Sequence, residues 1–335
     1  MLTWNGEPYL NDCLSSLENQ VYKDWHIFAA DNHSSDNSAH VIEDWIRKRG
    51  AGVFKKNTSN IGFARGHNDL LRLHEAEYVF VLNQDVFLEP NYLDELRRCL
   101  DQRNSVGSAS GCLRRWQNTK GKLIKTDIMD SAGLKIYKTH RVVERGRGEP
   151  FWTGRSVEDV FGVPATAALY RRTALDEAAL MTAEALEWFD NDFISYKEDI
   201  DLAYRLCLMG WRSVYVPAAQ GYHYRGLRGA ADARTGYFTF ATWRQRGVKN
   251  VSASQLSYRN HLFFLYKNFA FPIFSLTWWS TILYEFAKAV SLIFVEPKTF
   301  GYAWTNFFSM RGAMQNKRRI IIKKFHNSEN IKRFF

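Results

Sequence analysis

An apolar run that ends in a single acid, YVFVLNQD at residues 78–85, is where this sequence first offers chemistry. In an open α/β sheet a strand delivers the residue at its carboxyl end to the crevice where ligands bind, which places Asp85 there. The alternative is that Asp85 caps the turn that follows. A second strand-like run, WHIFAADNHSSD at residues 25–36, presents Asp31 in the same way, while Asp36 has the side chain of a helix cap. NIGFARGHN at residues 60–68 sets Asn60, Gly62, Gly66 and Asn68 around a helix start. Glycine there lets backbone approach a ligand, and a helix amino terminus favours phosphate. Arg65 adds a positive charge or is simply solvated. YKEDIDL at residues 196–202 opens a helix with Glu198, Asp199 and Asp201. Adjacent helical side chains point about 100° apart, so Glu198 and Asp199 do not share one role. One positioned carboxylate makes a general base, whereas three acids in a first turn also complement the helix dipole. His223, in GYHYRG after a strand, reads by itself as a structural imidazole.

The elements needed to hold these residues follow from periodicity. Residues 7–20 carry Leu10, Leu14 and Leu17 at helical spacing before the strand at 25–32. Ser38 is placed to cap a helix with Val41, Ile42, Trp45 and Ile46 on one face, and Gly50 stops it. A helix over 60–74, a strand over 78–82 and a helix over 90–100 with Pro90 in its first turn continue the alternation. The class is α/β, with a doubly wound, mostly parallel central sheet. Residues 103–160, rich in Gly, Arg and Lys, read as loops and short strands at the sheet edge. A strand over 160–172, a helix over 198–209 ended by Gly210, and a short strand over 211–216 follow.

The 335 residues suffice for a substantial core, and 45 basic against 35 acidic side chains give a formal charge of +10. That charge favours a phosphate-rich ligand, an anionic membrane or nucleic acid. Cys13, Cys99, Cys112 and Cys207 are widely spaced, without a CxxC pair, which argues against a disulfide scaffold or zinc ribbon, and Cys13, Cys99 and Cys207 fall in apolar helical patterns as small buried hydrophobes. Residues 269–283 carry no charge, yet Pro272 interrupts them and Glu285 and Lys288 follow, so the segment falls short of the roughly 20 apolar residues that a span needs. An interfacial helix pair followed by Lys317, Arg318, Arg319, Lys323 and Lys324 suits an anionic membrane better than nucleic acid.

Together with TWNG at residues 3–6, these motifs resemble the inverting, nucleotide-sugar-dependent glycosyltransferases of family 2, which have the GT-A fold, and within them the bacterial rhamnosyltransferase-like branch. The ordered motifs run over residues 1–225. The resemblance implies a GT-A domain there, a linker at 226–260, and a helical, membrane-associating tail at 261–335. It places Thr3, Asn5 and Asp31 around the nucleotide base, with Asp31 accepting from a pyrimidine N–H, and Asn60 and Gly66 beside the nucleotide. Asn83-Gln84-Asp85 stands where the family has Asp-x-Asp, so a divalent cation, Mg2+ or Mn2+, would be held by Asp85, phosphate and His223, with Asn83 near the ribose or sugar. Asp199 becomes the base, Glu198 contacts the acceptor or orients the loop, and Asp201 points away or braces an arginine. Trp188 and Phe189 stack on sugar or fill the core.

TDIMDSAG (126–133), RGRGE (145–149) and YKEDIDLAYRL (196–206) carry the likeness to the rhamnose branch. It implies transfer of a sugar such as L-rhamnose, from a dTDP- or UDP-sugar, to a polyprenyl-diphosphate-linked saccharide in bacterial surface polysaccharide assembly. The work would be done peripherally at the cytoplasmic face of the plasma membrane. Met1 and Leu2 precede TWNG directly where the family has a full apolar strand, so the expectation is a start farther upstream or a shortened copy. That feature and the single carboxylate motivate an alternative, a catalytically decayed, membrane-bound sugar-nucleotide-binding paralogue, against which Asp199 and His223 argue. A nicotinamide oxidoreductase lacks its strand followed by G-x-G-x-x-G.

Overall fold

Short apolar strands backed by amphipathic helices build the first sheet. In the computed structural model, which describes residues 1–119, 122–152, 154, 156–182, 185–224, 251–269, 271–324 and 332–335, β1 (Leu2–Thr3), β2 (Phe28–Asp31) and β3 (Val53–Lys56) run parallel. α1 (Glu7–Glu18) buries Leu10, Cys13, Leu14 and Leu17, and α2 (Ser38–Arg49) buries Ile42 and Ile46 before left-handed Gly50 ends it. Next come α3 (Phe63–Leu71), β4 (Tyr78–Leu82), β5 (Val86–Leu88) and α4 (Tyr92–Asp101). α3 starts later than the periodicity predicts because Asn60 and Gly62 form the turn before it, and Pro90 lies outside α4. A parallel bridge between Leu2 and Asn83 links this sheet to β4. A cavity of about 620 Å³ lies between β2 and β4, lined by Met1, Phe28, Val79 and Val81 among others.

The second sheet corrects the reading of residues 103–160. They contain β6 (Val106–Thr119), β7 (Lys122–Ser131), the hairpin of β8 (Leu134–Ile136) and β9 (Val142–Glu144), and β10 (Glu158–Val160). β11 (Ala167–Arg171), α5 (Arg172–Ala178), the pair β12 (Leu180–Met181) and β13 (Leu186–Glu187), α6 (Glu198–Leu208) and β14 (Arg212–Tyr224) complete this part. The strand order is β10-β14-β6-β11-β4, with β5 on β14 and β7 on β6. β14 and β6 run parallel, and β11 runs antiparallel to both β6 and β4. β6 is therefore central rather than marginal. Its start, Gly-Ser-Ala-Ser-Gly, has low strand propensity, and packing against neighbouring strands overrides it.

The expected strand at 211–216 continues to Tyr224 through an irregularity between Val216 and Gln220. A bulge of this kind re-aims the residues that follow it, here His223. Gly111 permits it, because a Cβ there would lie 2.2 Å from Ala219 O. Gly111→Ala is accordingly expected to destabilise the fold by about 1–3 kcal/mol, the scale of overpacking a tight core. A denaturant midpoint equal to wild type would refute this role.

The carboxyl-terminal part is three helices, α7 (Val251–Asn268), α8 (Phe271–Val295) and α9 (Pro297–Lys324). Of the segment read as a linker, residues 251–260 belong to α7, and residues 226–250 lie outside the described residues. Phe263, Phe264, Met314 and Ile321 join the same core as Phe161, Phe189 and Leu206. Buried charges tie the parts together. Lys267 pairs with Asp190 and, at 2.8 Å, with Asp201, while Lys317 reaches Glu187 at 3.0 Å, Asp190, and Asp192 at 2.8 Å. Lys317 is thus an internal cation and not one of the lipid-facing charges the sequence suggested. Arg318 donates to Tyr266 O and Lys324 to Ala179 O, which leaves Arg319 and Lys323 exposed.

Candidate active site

The donor side forms where β1, β2 and β4 end. Gln84 locks the first turn: its Oε1 accepts from the Thr3 hydroxyl and from Trp4 N at 2.9 Å, and its Nε2 donates to Trp4 O at 3.0 Å. Asn5, at φ 48°, accepts from Ser35 N at 2.8 Å. Asp31 is fully buried and accepts from Ser34 N at 3.0 Å and Ser34 Oγ at 2.5 Å. Thr3, Asn5 and Asp31 therefore meet at one edge, where their polar atoms hold the surrounding loops. Asp36 is a cap, accepting from Ser38 N at 3.0 Å and Glu7 N at 3.2 Å. Burial pushes its carboxyl up, but the Ser38 hydroxyl and those amides outweigh it and hold it below the usual range. Ser38, the expected cap, instead accepts from Gly6 N at 2.8 Å.

The glycine-rich segment behaves differently from its sequence reading. Asn60 Oδ1 accepts from Gly62 N at 3.0 Å and Asn32 Nδ2 at 2.8 Å, which fixes the turn to the end of β2. The first amides of α3 are already used: Ala64 N donates to Ile194 O at 3.0 Å and Phe63 N to Ser195 Oγ at 3.2 Å. This amino terminus therefore binds the loop before α6 where a phosphate site was expected. Gly62, at φ 82°, allows that contact, since a Cβ would stand 2.7 Å from Ile194 O. Gly66 serves packing: a Cβ would lie 2.7 Å from the Leu2 side chain. Asn68 is buried and bonded to the backbone of Trp188 and Phe189, both of which are core residues.

Asp85 and His223 are brought together, as the family pattern implied. His223 Nε2 lies 3.5 Å from Asp85 Oδ1, and its Nδ1 lies 2.8 Å from Asp130 Oδ2. Asp130, fully buried on β7, was missed in the sequence, although an acid flanked by apolar Met129 and small Ser131 and Ala132 in a strand was a readable signal. Burial alone would lower the His223 imidazole, but the carboxylates of Asp85 and Asp130 outweigh it and raise it to about 9. Two ligand atoms 3.5 Å apart, with a carboxylate orienting the imidazole from behind, suit a divalent cation that takes its remaining ligands from phosphate and water. Among the described residues no group of three His, Cys, Asp or Glu converges on one cation position.

Asp199 and Glu198 open α6 after an unusual loop. Asp199 Oδ1 accepts from Ile200 N at 2.8 Å. Burial lifts Asp199 above the usual aspartate range against the Ile200 and Ala165 amides, and the charge of Glu144 adds to the rise. Glu198 is buried, its Oε2 lacks a hydrogen-bond partner, and burial followed by the charge of Asp199 pushes it much higher still. Burial thus disfavours the charged form of both carboxyls, most strongly that of Glu198. Asp201 points elsewhere and braces Arg205 at 3.0 Å. Asn83 N donates to Thr166 O at 2.8 Å, which ties the Asn83–Asp85 turn to the residues before β11.

Known proteins give this geometry its context. The Glycosyl transferase family 2 pattern matches residues 1–178. Poly(ribitol-phosphate) beta-N-acetylglucosaminyltransferase TarP of Staphylococcus aureus is 30% identical over 144 residues, 39% of this chain and 43% of that protein. The N-acetylglucosaminyl-diphospho-decaprenol L-rhamnosyltransferase of Mycobacterium tuberculosis is 23% identical over 67% of this chain and 74% of its own length. The match spans less than half of the Staphylococcus protein and of a Methanocaldococcus jannaschii glycosyltransferase, at 43% and 37%. In fold, the chain is similar to GalNAc-T7 solved with UDP, GalNAc and Mn2+, with a TM-score of 0.58 at 11% identity over 79% of this chain and 47% of that one. It is also similar to a Pyrobaculum calidifontis mannosyltransferase solved with GDP-Man and Mn2+, with a TM-score of 0.51 at 16% identity over 93% and 74%. The GT-A type of α/β fold and the matched half of the sequence agree: the chain belongs to glycosyl transferase family 2.

Proposed function

We propose that the chain is an inverting glycosyltransferase that moves a sugar from a nucleotide diphosphate to a saccharide hydroxyl. The observation that carries this reading is the meeting of Asp85 and His223, 3.5 Å apart, with Asp130 at 2.8 Å behind the imidazole. Asp199 takes the acceptor proton as that oxygen bonds the anomeric carbon, and the bond to the diphosphate breaks with its electron pair on the leaving oxygen. Asp85 and His223 would hold a divalent cation, which would supply charge neutralisation at the diphosphate. Asp130 fixes the imidazole, and buried Glu198 keeps its proton beside the base.

L-rhamnose from dTDP-rhamnose is the first donor to test, supported by the name of the mycobacterial relative and by the motifs at 126–133 and 196–206. The same relative supports a polyprenyl-diphosphate-linked acceptor, and the Staphylococcus relative supports a role in bacterial surface polymers. A panel of dTDP-, UDP- and GDP-sugars with Mn2+ tests the reading, with release of nucleoside diphosphate as the signal. Turnover of one donor supports it. Binding without turnover would favour the decayed, sugar-nucleotide-binding alternative, which the two-ligand cation site also suits.

The membrane assignment, to the cytoplasmic face, rests on α8. Trp279, Ile282, Leu283, Phe286, Val290 and Phe294 recur at helical spacing and are exposed, Phe294 at 80%. No helix among the described residues is long and apolar enough to cross a membrane, so this stripe suits a helix lying in the interface. Full-length protein is expected to float with phosphatidylglycerol-containing vesicles, and Phe286→Glu with Phe294→Glu to remain at the bottom of the gradient. Flotation unchanged by the double substitution would remove α8 as the contact.

A further inference from the structure

The loop that delivers Asp199 is held in a conformation its own residues disfavour. Ile194 has φ 62° and ψ −69°, and Ser195 N donates back to Phe193 O at 2.6 Å. That is the γ-turn of the rare, strained hand. Tyr196 at φ 73° and Lys197 at φ 69° follow in the left-handed region, although none of the three is glycine. Such geometry persists only where the surroundings over-determine it.

The surroundings here are two side chains of α7. Asn260, fully buried, donates through Nδ2 to Phe193 O at 2.8 Å, Ser195 O at 2.9 Å and Tyr196 O at 2.7 Å. Its amide orientation is fixed by Arg259, whose Nε and Nη2 both donate to Asn260 Oδ1, at 2.9 and 2.8 Å. Arg259 Nη2 also reaches Asp192 O at 2.7 Å and Phe193 O at 3.2 Å. From the other side, Ile194 O and Ser195 Oγ engage the first amides of α3. One five-residue loop thus touches the donor-side helix, the carboxyl-terminal helix and the base.

Resting on the reading of Asp199 as the proton acceptor, we infer that Asn260, oriented by Arg259, is a positioning residue that holds residues 193–197 in their left-handed course and so aims Asp199. The carboxyl-terminal helices then complete the active site from outside the segment matched by the family pattern, which ends at residue 178.

The test uses full-length protein and compares Asn260→Ala, Asn260→Ser, Asn260→Ala with Tyr196→Gly, and Asp199→Asn. dTDP and UDP with Mn2+ serve as binding probes, dTDP-L-rhamnose and UDP-N-acetylglucosamine as donors, and hydrogen exchange reports the loop amides. Asn260→Ala is expected to lower single-turnover transfer about 10-fold to 10²-fold, the scale of a misplaced reacting group, with nucleotide affinity within twofold of wild type. Exchange at residues 195–200 should speed up at least 10-fold while the rest of α6 stays protected. Tyr196→Gly should recover part of the lost rate, because glycine adopts positive φ without the Cβ penalty. Asn260→Ser, whose single hydroxyl serves one carbonyl, should fall in between and stands in if the alanine variant does not fold. Wild-type exchange and transfer in Asn260→Ala, or in Asn260→Ser where the alanine variant does not fold, with Asp199→Asn inactive, would overturn the positioning role alone. Wild-type transfer in Asp199→Asn would overturn the base reading and this inference with it.

Discussion

Asp199→Asn is expected to lower transfer by about 10²-fold or more while leaving nucleotide binding nearly intact, the usual scale for losing a positioned general base. The amide keeps the size of the side chain and its place at the start of α6, but it cannot accept the acceptor proton. The pH dependence supplies a second reading of the same group. Burial raises Asp199 above the ordinary aspartate range, and only the ionised form accepts a proton. The rate should therefore fall as pH is lowered through that raised value, and this acid limb should vanish in Asp199→Asn. Asp201→Asn should leave the limb in place, because Asp201 is bonded to Arg205 and Lys267 within the fold. An acid limb that survives in Asp199→Asn, or one that disappears in Asp201→Asn, moves the base elsewhere in the cluster.

Removal of divalent cation should abolish turnover, and Mn2+ or Mg2+ should restore it. Asp85→Asn should weaken donor binding measured with Mn2+, since it removes the single carboxylate of the Asn83-Gln84-Asp85 turn. Asp130→Asn is the more discriminating substitution: a lost outer carboxylate behind a ligating imidazole typically costs about 10-fold to 100-fold in metal affinity. The direction with pH follows from His223. Its imidazole is held protonated up to about 9 between two carboxylates, so a cation arriving at Nε2 displaces a proton. Mn2+ affinity should therefore rise as pH increases toward that value. Full activity in excess chelator would remove the cation from the account.

The candidate residues that the sequence singled out lie on local elements: Asp85 in the turn after β4 and Asp199 in the first turn of α6, whereas His223, within β14, stood out only through the family resemblance. What the sequence hid depends on partners far away. Asp130 acquires meaning only when β14 brings His223 to it, 93 positions on. Asn260 fell at the end of a segment read as a linker, and its role shows only when its amide is seen against three carbonyls of the 193–197 loop. Gly66 was read as a ligand-facing glycine because spacing cannot separate approach to a ligand from approach to Leu2. The stretch holding β6 was read as loops and short strands at the sheet edge because its small residues have weak strand propensity, and the neighbouring β14 and β11 make it a long central strand. Lys317 looked like part of a lipid-facing basic run, yet three acids from the loops before α6 claim it.

The anomeric configuration of the product tests the central claim most directly. With the donor that turns over and a saccharide acceptor, the first-formed product should carry the anomeric configuration opposite to that of the donor, observed by proton NMR before any equilibration. Asp199→Asn should yield the same product far more slowly. A product that retains the donor configuration would contradict a single displacement with Asp199 as the base.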